Sequence, residues 1–311
     1  MRSDPLPRHA SASAATVAFR TRLIELGECR ILHSGRLRWL RAIAWMIVLF
    51  LLVVVSSESA AQLLRAWWPG TTPGPMQLAP HLASVVVALC LYALAVRLGE
   101  DRRPSEIAMR PMLPQLAVGL PLGAAMFAAV MGIMVACDLY TIRFAGPAPA
   151  WSAVGKALQA GVVEELMLRA IVLRLLWRAF GPWVAFAASA ALFGFAHIGN
   201  PNATVFAAVC IALEAGIMLG AFYVLTGRIW MSIGVHAAWN FTQGYAFGAA
   251  VSGTAMGPAI AHSSARAGAP EWLTGGAFGP EASLPGVLVC AVVGAVVTWR
   301  AWRAGRFSSG R

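Results

Sequence analysis

The stretch GVVEELMLRAIVL, residues 161–173, sets two adjacent glutamates and an arginine inside an apolar run of the kind that lies within a lipid bilayer. Placing an ionised side chain at the bilayer centre costs roughly 3 kcal/mol or more, so such groups turn away from lipid and toward a protein interior or a cavity. Glu164, Glu165 and Arg169 therefore predict a membrane helix that belongs to a bundle, and they mark a place where chemistry is expected.

The rest of the chain supports a membrane setting. Its 311 residues are 59% hydrophobic and 12% charged, whereas soluble domains run at about 45–50% apolar and about 25% charged. Eight apolar stretches follow one another at 42–58, 79–97, 114–137, 152–177, 182–198, 203–225, 229–250 and 284–301. Each approaches the ~20 helical residues that span a hydrocarbon core, and the fifth also reads as a partial span. The expected fold is all-α: a polytopic transmembrane helical bundle of about eight spans. Residues 1–41 form an Arg-rich tail, 42–149 additional spans, 150–250 a catalytic helical core, 251–283 an outside loop, and 284–311 the last span and a basic tail. No internal repeat is visible.

Basic residues set the orientation. The formal net charge is +11, and Lys156 is the single lysine among 24 basic residues. Eight arginines lie in the N-terminal tail. Arg97, Arg102, Arg103, Arg110, Arg174, Arg178, Arg228, Arg300, Arg303, Arg306 and Arg311 fall on the same side, against Arg65, Arg143 and Arg266 on the other. Positive loops stay inside, so both termini are expected to be cytoplasmic. These cations sit in short loops between apolar runs, which suits contact with membrane lipid and argues against a nucleic-acid partner. Trp67, Trp68, Trp151, Trp183, Trp230 and Trp299 fall near span ends, as interfacial anchors do. No compact apolar region with a cleavage site precedes residue 42, so a removable signal peptide is not expected. Residues 17–31 are loosely amphipathic, suited to the membrane surface or to a disordered tail. The five cysteines show no CxxC spacing and read as small packing residues. The segment 251–283, rich in Gly, Ala and Pro, reads equally as a lid or a linker.

Residues four apart share a helix face, so Glu165 and Arg169 are placed to form an ion pair, while Glu164 points elsewhere and is free to face a cavity. Phe193 and His197 share a face in the fifth span, beside the small Gly194 and Ala196 that permit close packing. His236 and Asn240 share one in the seventh, on its cytoplasmic half. Counting ~1.5 Å per residue, Glu164 and His197 both lie roughly 20–25 Å from the cytoplasmic side. Together these groups suit hydrolysis: Glu164 as base on a water that His197 shares, with His236 and Asn240 stabilising an oxyanion. A divalent metal such as zinc is the other route to hydroxide, with Glu164, His197 and His236 as its candidate ligands, although no HExxH is present. Cofactor use stays open. Glu214, a further intramembrane acid, pairs with Arg or His or fills a polar niche, and stands outside the catalytic set.

These motifs resemble those of the CAAX protease and bacteriocin-processing family of intramembrane endopeptidases, which includes the type II CAAX prenyl endopeptidases. Glu164-Glu165 with Arg169 is similar to its EExxxR motif, Phe193 to His197 to its FxxxH motif, and His236 to Asn240 to its HxxxN motif. The resemblance covers about residues 150–245. It implies an all-helical peptidase acting on a membrane-embedded or lipidated peptide, expected here near the cytoplasmic face. Glu164 and His197 would activate water, His236 and Asn240 would form the oxyanion site, and Glu165, Arg169 and Phe193 would support them. The alternatives are a non-catalytic scaffold or self-immunity protein of the same fold, and an ion-coupled transporter, which the lack of repeats disfavours. The Arg- and Ala-rich, Lys-poor composition points to a GC-rich bacterial genome and so to a bacterial inner membrane.

Overall fold

The structure, a computed structural model, describes residues 23–67 and 74–308. The sequence expectations for residues 1–22, Trp68 and Arg311 lie outside the described residues. The chain runs through α1 (Arg38–Trp67), α2 (Ala79–Glu100) and α3 (Met112–Ala136), then β1 (Tyr140–Phe144). One long helix follows as α4 (Trp151–Glu165), a widened π segment (Leu166–Leu173) and α5 (Arg174–Phe180). Next come α6 (Pro182–Ala196), α7 (Val205–Ile211), a second π segment (Ala212–Gly216), α8 (Ile217–Thr226) and α9 (Trp230–Phe241), which ends in a third π segment (Thr242–Ala246). Strand β2 (Ala261–Ala265), the single turn α10 (Glu271–Thr274) and α11 (Leu284–Arg303) complete the fold, a helical membrane bundle.

Local sequence explains the boundaries. Gly181, at φ +90°, turns the chain into Pro182 in the first turn of α6, where the missing proline N–H costs nothing. Thr204 caps α7 through Ala207, and Ser283 caps α11 through Gly286. Gly227 closes α8 in the left-handed region, where a side chain would be strained.

Among the described residues, six helices are long and apolar enough to cross a membrane. The 151–180 and 230–246 helices, expected as the fourth and seventh spans, fall outside that set. The first is interrupted by charged residues and a π segment, and the second is short. They are also the most internal. Gly123 of α3 lies so close to α9 that a Cβ there would sit 2.2 Å from the Val235 carbonyl oxygen, and one on Gly161 of α4 would sit 2.9 Å from the Ala237 Cβ. Small residues let helix backbones approach where water supplies no driving force. Here they bring α9 against both α3 and α4.

Three details differ from the sequence expectations. Trp230 is buried, donating its indole N–H to the Ala108 carbonyl at 2.9 Å, and is no surface anchor. Cys29, Cys90 and Cys137 are exposed, so only Cys210 and Cys290 act as packing residues. β1 pairs antiparallel with β2, Tyr140 opposite Ala265 and Phe144 opposite Ala261, joining two loops far apart in sequence.

Arg102 and Arg174, counted above as loop cations, belong instead to a buried ion network. Arg174 donates to both Glu100 oxygens at 2.8 and 2.7 Å, and Arg102 bonds Glu100 at 2.6 Å and Glu106 at 2.8 Å. Tyr92 also donates to Glu106, and Trp45 to Glu100. The network ties α2, the α2–α3 loop and α5 together at the end of the bundle where α1 starts and α11 finishes. Removing one partner of a buried ion pair typically costs about 3–5 kcal/mol, because the other charge is left unpaired. Arg174→Met is therefore expected to lower the thermal midpoint of the detergent-solubilised protein sharply. Burial pushes the Glu106 carboxyl up, but the Arg102 hydrogen bonds and the Arg174 and Arg102 charges outweigh it and hold the group at about 2. With its folded value below the unfolded one, the stability Glu106 contributes is present above pH 4.5 and lost as pH falls toward 2. Thermal melts of wild type and Glu106→Gln between pH 2 and 6 check this.

Candidate active site

Two of the three sequence motifs, and Glu214, occur at or beside a helix irregularity. π segments follow Glu165 directly, contain Glu214, and begin two residues beyond Asn240. Such turns break the i→i−4 ladder and recur at functional sites. Nearby side chains satisfy carbonyls around them. Ser189 donates to Leu168 at 3.0 Å, Arg174 to Ala170 at 2.7 Å and Arg169 to Ala215 at 2.8 Å.

Glu165 sits at the centre, fully buried. Its Oε1 accepts from Arg169 Nη1 at 3.0 Å, the intrahelical pair expected from spacing, and from His236 Nδ1 at 2.9 Å, a partner that spacing could not reveal. The Arg169 guanidinium lies over the Phe193 ring, 4.5 Å from its centroid, a cation–π contact that also holds Phe193. Phe193 in turn packs against both histidine rings, with centroids 5.0 Å from His197 and 6.1 Å from His236.

Glu164 faces a cavity, as expected, with its side chain 31% exposed and Oε2 3.9 Å from His236 Nε2. His197 ends α6, where Nδ1–H donates to the Phe193 carbonyl at 2.8 Å and Nε2 is left for the cavity. Gly194 allows this close seating, since a Cβ there would meet the Ala208 carbonyl at 2.1 Å; Ala196 is exposed and takes no part. Glu164, His197 and Asn240 all line one vestibule of about 560 Å³. Its mouth is formed by Glu58 and Arg65 late in α1, His81 early in α2, Lys156 early in α4, and Ser252 to Met256. That mouth is at the bundle end opposite the start of α1 and the finish of α11.

Among the described residues, no three His, Cys, Asp or Glu side chains converge as a metal-binding group. The donor set of Glu164, His197 and His236 thus does not fit a zinc ion as arranged here, and no step is routed through one.

The sequence left 251–283 open between a lid and a linker, and its first residues form a roof. Residues 250–256 fold over the site, held by Gln243 to the Ala250 carbonyl at 2.6 Å, Asn200 to Ser252 at 3.2 Å, Ser152 to Met256 at 3.1 Å and Lys156 to Ala255 at 2.9 Å. Glu281 accepts from the Ser252 backbone N–H at 2.5 Å and its hydroxyl at 3.1 Å. Glu214 pairs with neither arginine nor histidine through hydrogen bonds; its Oε2 is buried without a partner. It lines, with Glu281, a cavity of about 40 Å³ that adjoins His197, His236 and Asn240. The only advance signal for Glu281 was an acid in a long Gly- and Ala-rich loop.

Against known proteins, residues 146–242 match the Rce1-like family model, described as type II CAAX prenyl endopeptidase Rce1-like. No curated protein and no solved structure matches the chain. Fold and match together define a membrane-embedded peptide hydrolase. The matched stretch, about a third of the chain, is similar to the type II CAAX prenyl endopeptidases and holds all three motifs.

Burial pushes the Glu281 carboxyl up to about 8, against the opposing pull of the Ser252 hydrogen bonds. A raised folded-state value means that its contribution is full below pH 4.5 and lost as pH rises through about 8. Thermal melts from pH 5 to 9 should show the midpoint falling across that window in wild type. Glu281→Gln, which keeps an acceptor oxygen without the charge, should remove this component.

Proposed function

We propose that the chain hydrolyses a peptide bond in a membrane-embedded or lipidated polypeptide through a water activated by Glu164 and His197. The observation that carries the reading is that Glu164 lines the vestibule with His197 and Asn240, while His236, its Nε2 3.9 Å from Glu164 Oε2, lines the smaller adjoining cavity with the same His197 and Asn240. That spacing is too long for a direct hydrogen bond and leaves both groups to act on a guest.

Glu164, partly open to the cavity, takes a proton as the water attacks the carbonyl carbon. His197 Nε2, its ring set by the Phe193 carbonyl, holds the water. The carbonyl oxygen becomes an oxyanion, stabilised by the Asn240 carboxamide and by His236. Because His236 gives Nδ1–H to Glu165, it donates from Nε2 only as the imidazolium, a form favoured by the two flanking glutamates. Glu164 then returns its proton to the leaving amine as the C–N bond breaks. Glu165 and Arg169 position His236 and do not touch substrate. The Arg- and Ala-rich, Lys-poor composition supports reading the membrane as a bacterial inner membrane.

The test is cleavage of quenched lipidated peptides in liposomes. General acid–base groups contribute roughly 10²–10⁴-fold, so Glu164→Gln and His236→Ala should lower kcat by that order with KM little changed. His197→Ala should do likewise, and a chelator should leave the wild-type rate unchanged. A Glu164→Gln protein that cleaves at the wild-type rate removes the assigned base. Phenotypes that survive loss of both glutamates would instead favour a scaffold or self-immunity protein.

A further inference from the structure

The position of the vestibule bears on which side of the membrane supplies the substrate. Glu58 and Arg65 lie in the last turns of α1, His81 in the first turn of α2, and Asn200 just beyond α6. With the roof at Ser252 to Met256, they place the mouth at one end of the bundle. The other end carries the arginines. Even without Arg102 and Arg174, whose charges are consumed in the buried network, it holds Arg30, Arg36, Arg38, Arg41, Arg97, Arg103, Arg110, Arg178, Arg228, Arg300, Arg303 and Arg306. The vestibule end has Arg65, Arg143, Lys156 and Arg266, of which Arg65 pairs with Glu58 and Arg266 with Asp138. Excess arginine marks the cytoplasmic side.

We infer that the catalytic vestibule opens to the exoplasmic face and takes the membrane-anchored segment of an exported polypeptide. The inference rests on the peptidase reading for its chemistry and on charge and geometry for its direction. The walls match such a guest. The vestibule lining joins apolar side chains, Val54, Val163 and Met167, to charged and amide groups, among them Glu58, Arg65, Lys156 and Gln159. A chain with an apolar anchor and a polar flank outside the membrane meets each surface in turn. Hydrolysis needs only water: its hydroxyl joins the carbonyl carbon and its proton joins the released amine.

The native cysteines supply the probe of direction. Cys137 is exposed at the vestibule end of α3, and Cys29 is exposed at the opposite end. Variants retaining one of these two cysteines, with Ser264→Cys on β2 and Ser34→Cys before α1 as independent reporters, would be treated in intact cells with a membrane-impermeant maleimide. Cys137 and Ser264→Cys should label directly, and Cys29 and Ser34→Cys only after permeabilisation. The reverse pattern overturns the inference whatever the enzyme's activity. The second arm adds an impermeant quenched peptide with one apolar anchor to sealed vesicles of either orientation. Right-side-out vesicles should cleave it and inside-out vesicles should not; cleavage only by inside-out vesicles, or equally by both, overturns the assignment of substrate side. If labelling is as expected but detergent-solubilised wild type cuts no peptide of the panel, the peptidase reading and the substrate fall together while the orientation stands.

Discussion

One carboxylate oxygen, Oε1 of Glu165, organises the centre of this protein. A charge in an apolar bundle must be paired, and this oxygen has two partners, Arg169 from its own helix and His236 from α9. Breaking such an arrangement by losing one partner costs about 3–5 kcal/mol, so the relative rotation of the two helices is constrained as strongly as by a large apolar contact. Arg169 extends the constraint by stacking on Phe193 and bonding Ala215. Four helical segments are thereby indexed to a single side chain. The histidine that faces the cavity inherits its orientation from that indexing.

A second polar layer, around Glu100, Glu106, Arg102 and Arg174, lies nearer the termini. The helix carrying Glu164 and Glu165 runs directly into it: Arg174 begins α5, one residue past the π segment. The same helix is therefore held by charge at two levels, with apolar packing between. The layer around Glu165 keeps one open side, through Glu164, while the lower layer is closed. The two layers are built of the same residue types and differ in that openness.

Much of this arrangement could be read from local spacing. The Glu165–Arg169 pair and the outward turn of Glu164 follow from helical geometry alone, and the spans follow from apolar length. The His236–Glu165 contact did not follow, because nothing local in residues 229–250 specifies which neighbour α9 meets. That choice is made by backbone approach at Gly161 and Gly123, visible only once the helices are packed. Arg102, Arg174 and Trp230 were read as surface groups because their composition matches membrane borders; long-range partners bury them. The sequence could not choose between lid and linker for 251–283 because small residues carry little periodicity, and the order of the roof comes from side chains elsewhere, such as Asn200, Lys156 and Glu281.

The π segments have a consequence for how such a chain tolerates change. A π turn accommodates an additional residue within a helix, and each α-helical residue accounts for about 100° of rotation. Removing one residue between 166 and 173 would let that stretch rewind as a regular helix. Glu165 and Arg174 would keep about the same phase, but the carbonyls of Leu168 and Ala170 would lose the widened turn at which Ser189 and Arg174 bond them. The additional residue thus serves those carbonyls and not the phase of the helix. A deletion in a regular stretch such as α4 has no such buffer and would turn its two sides by about 100°.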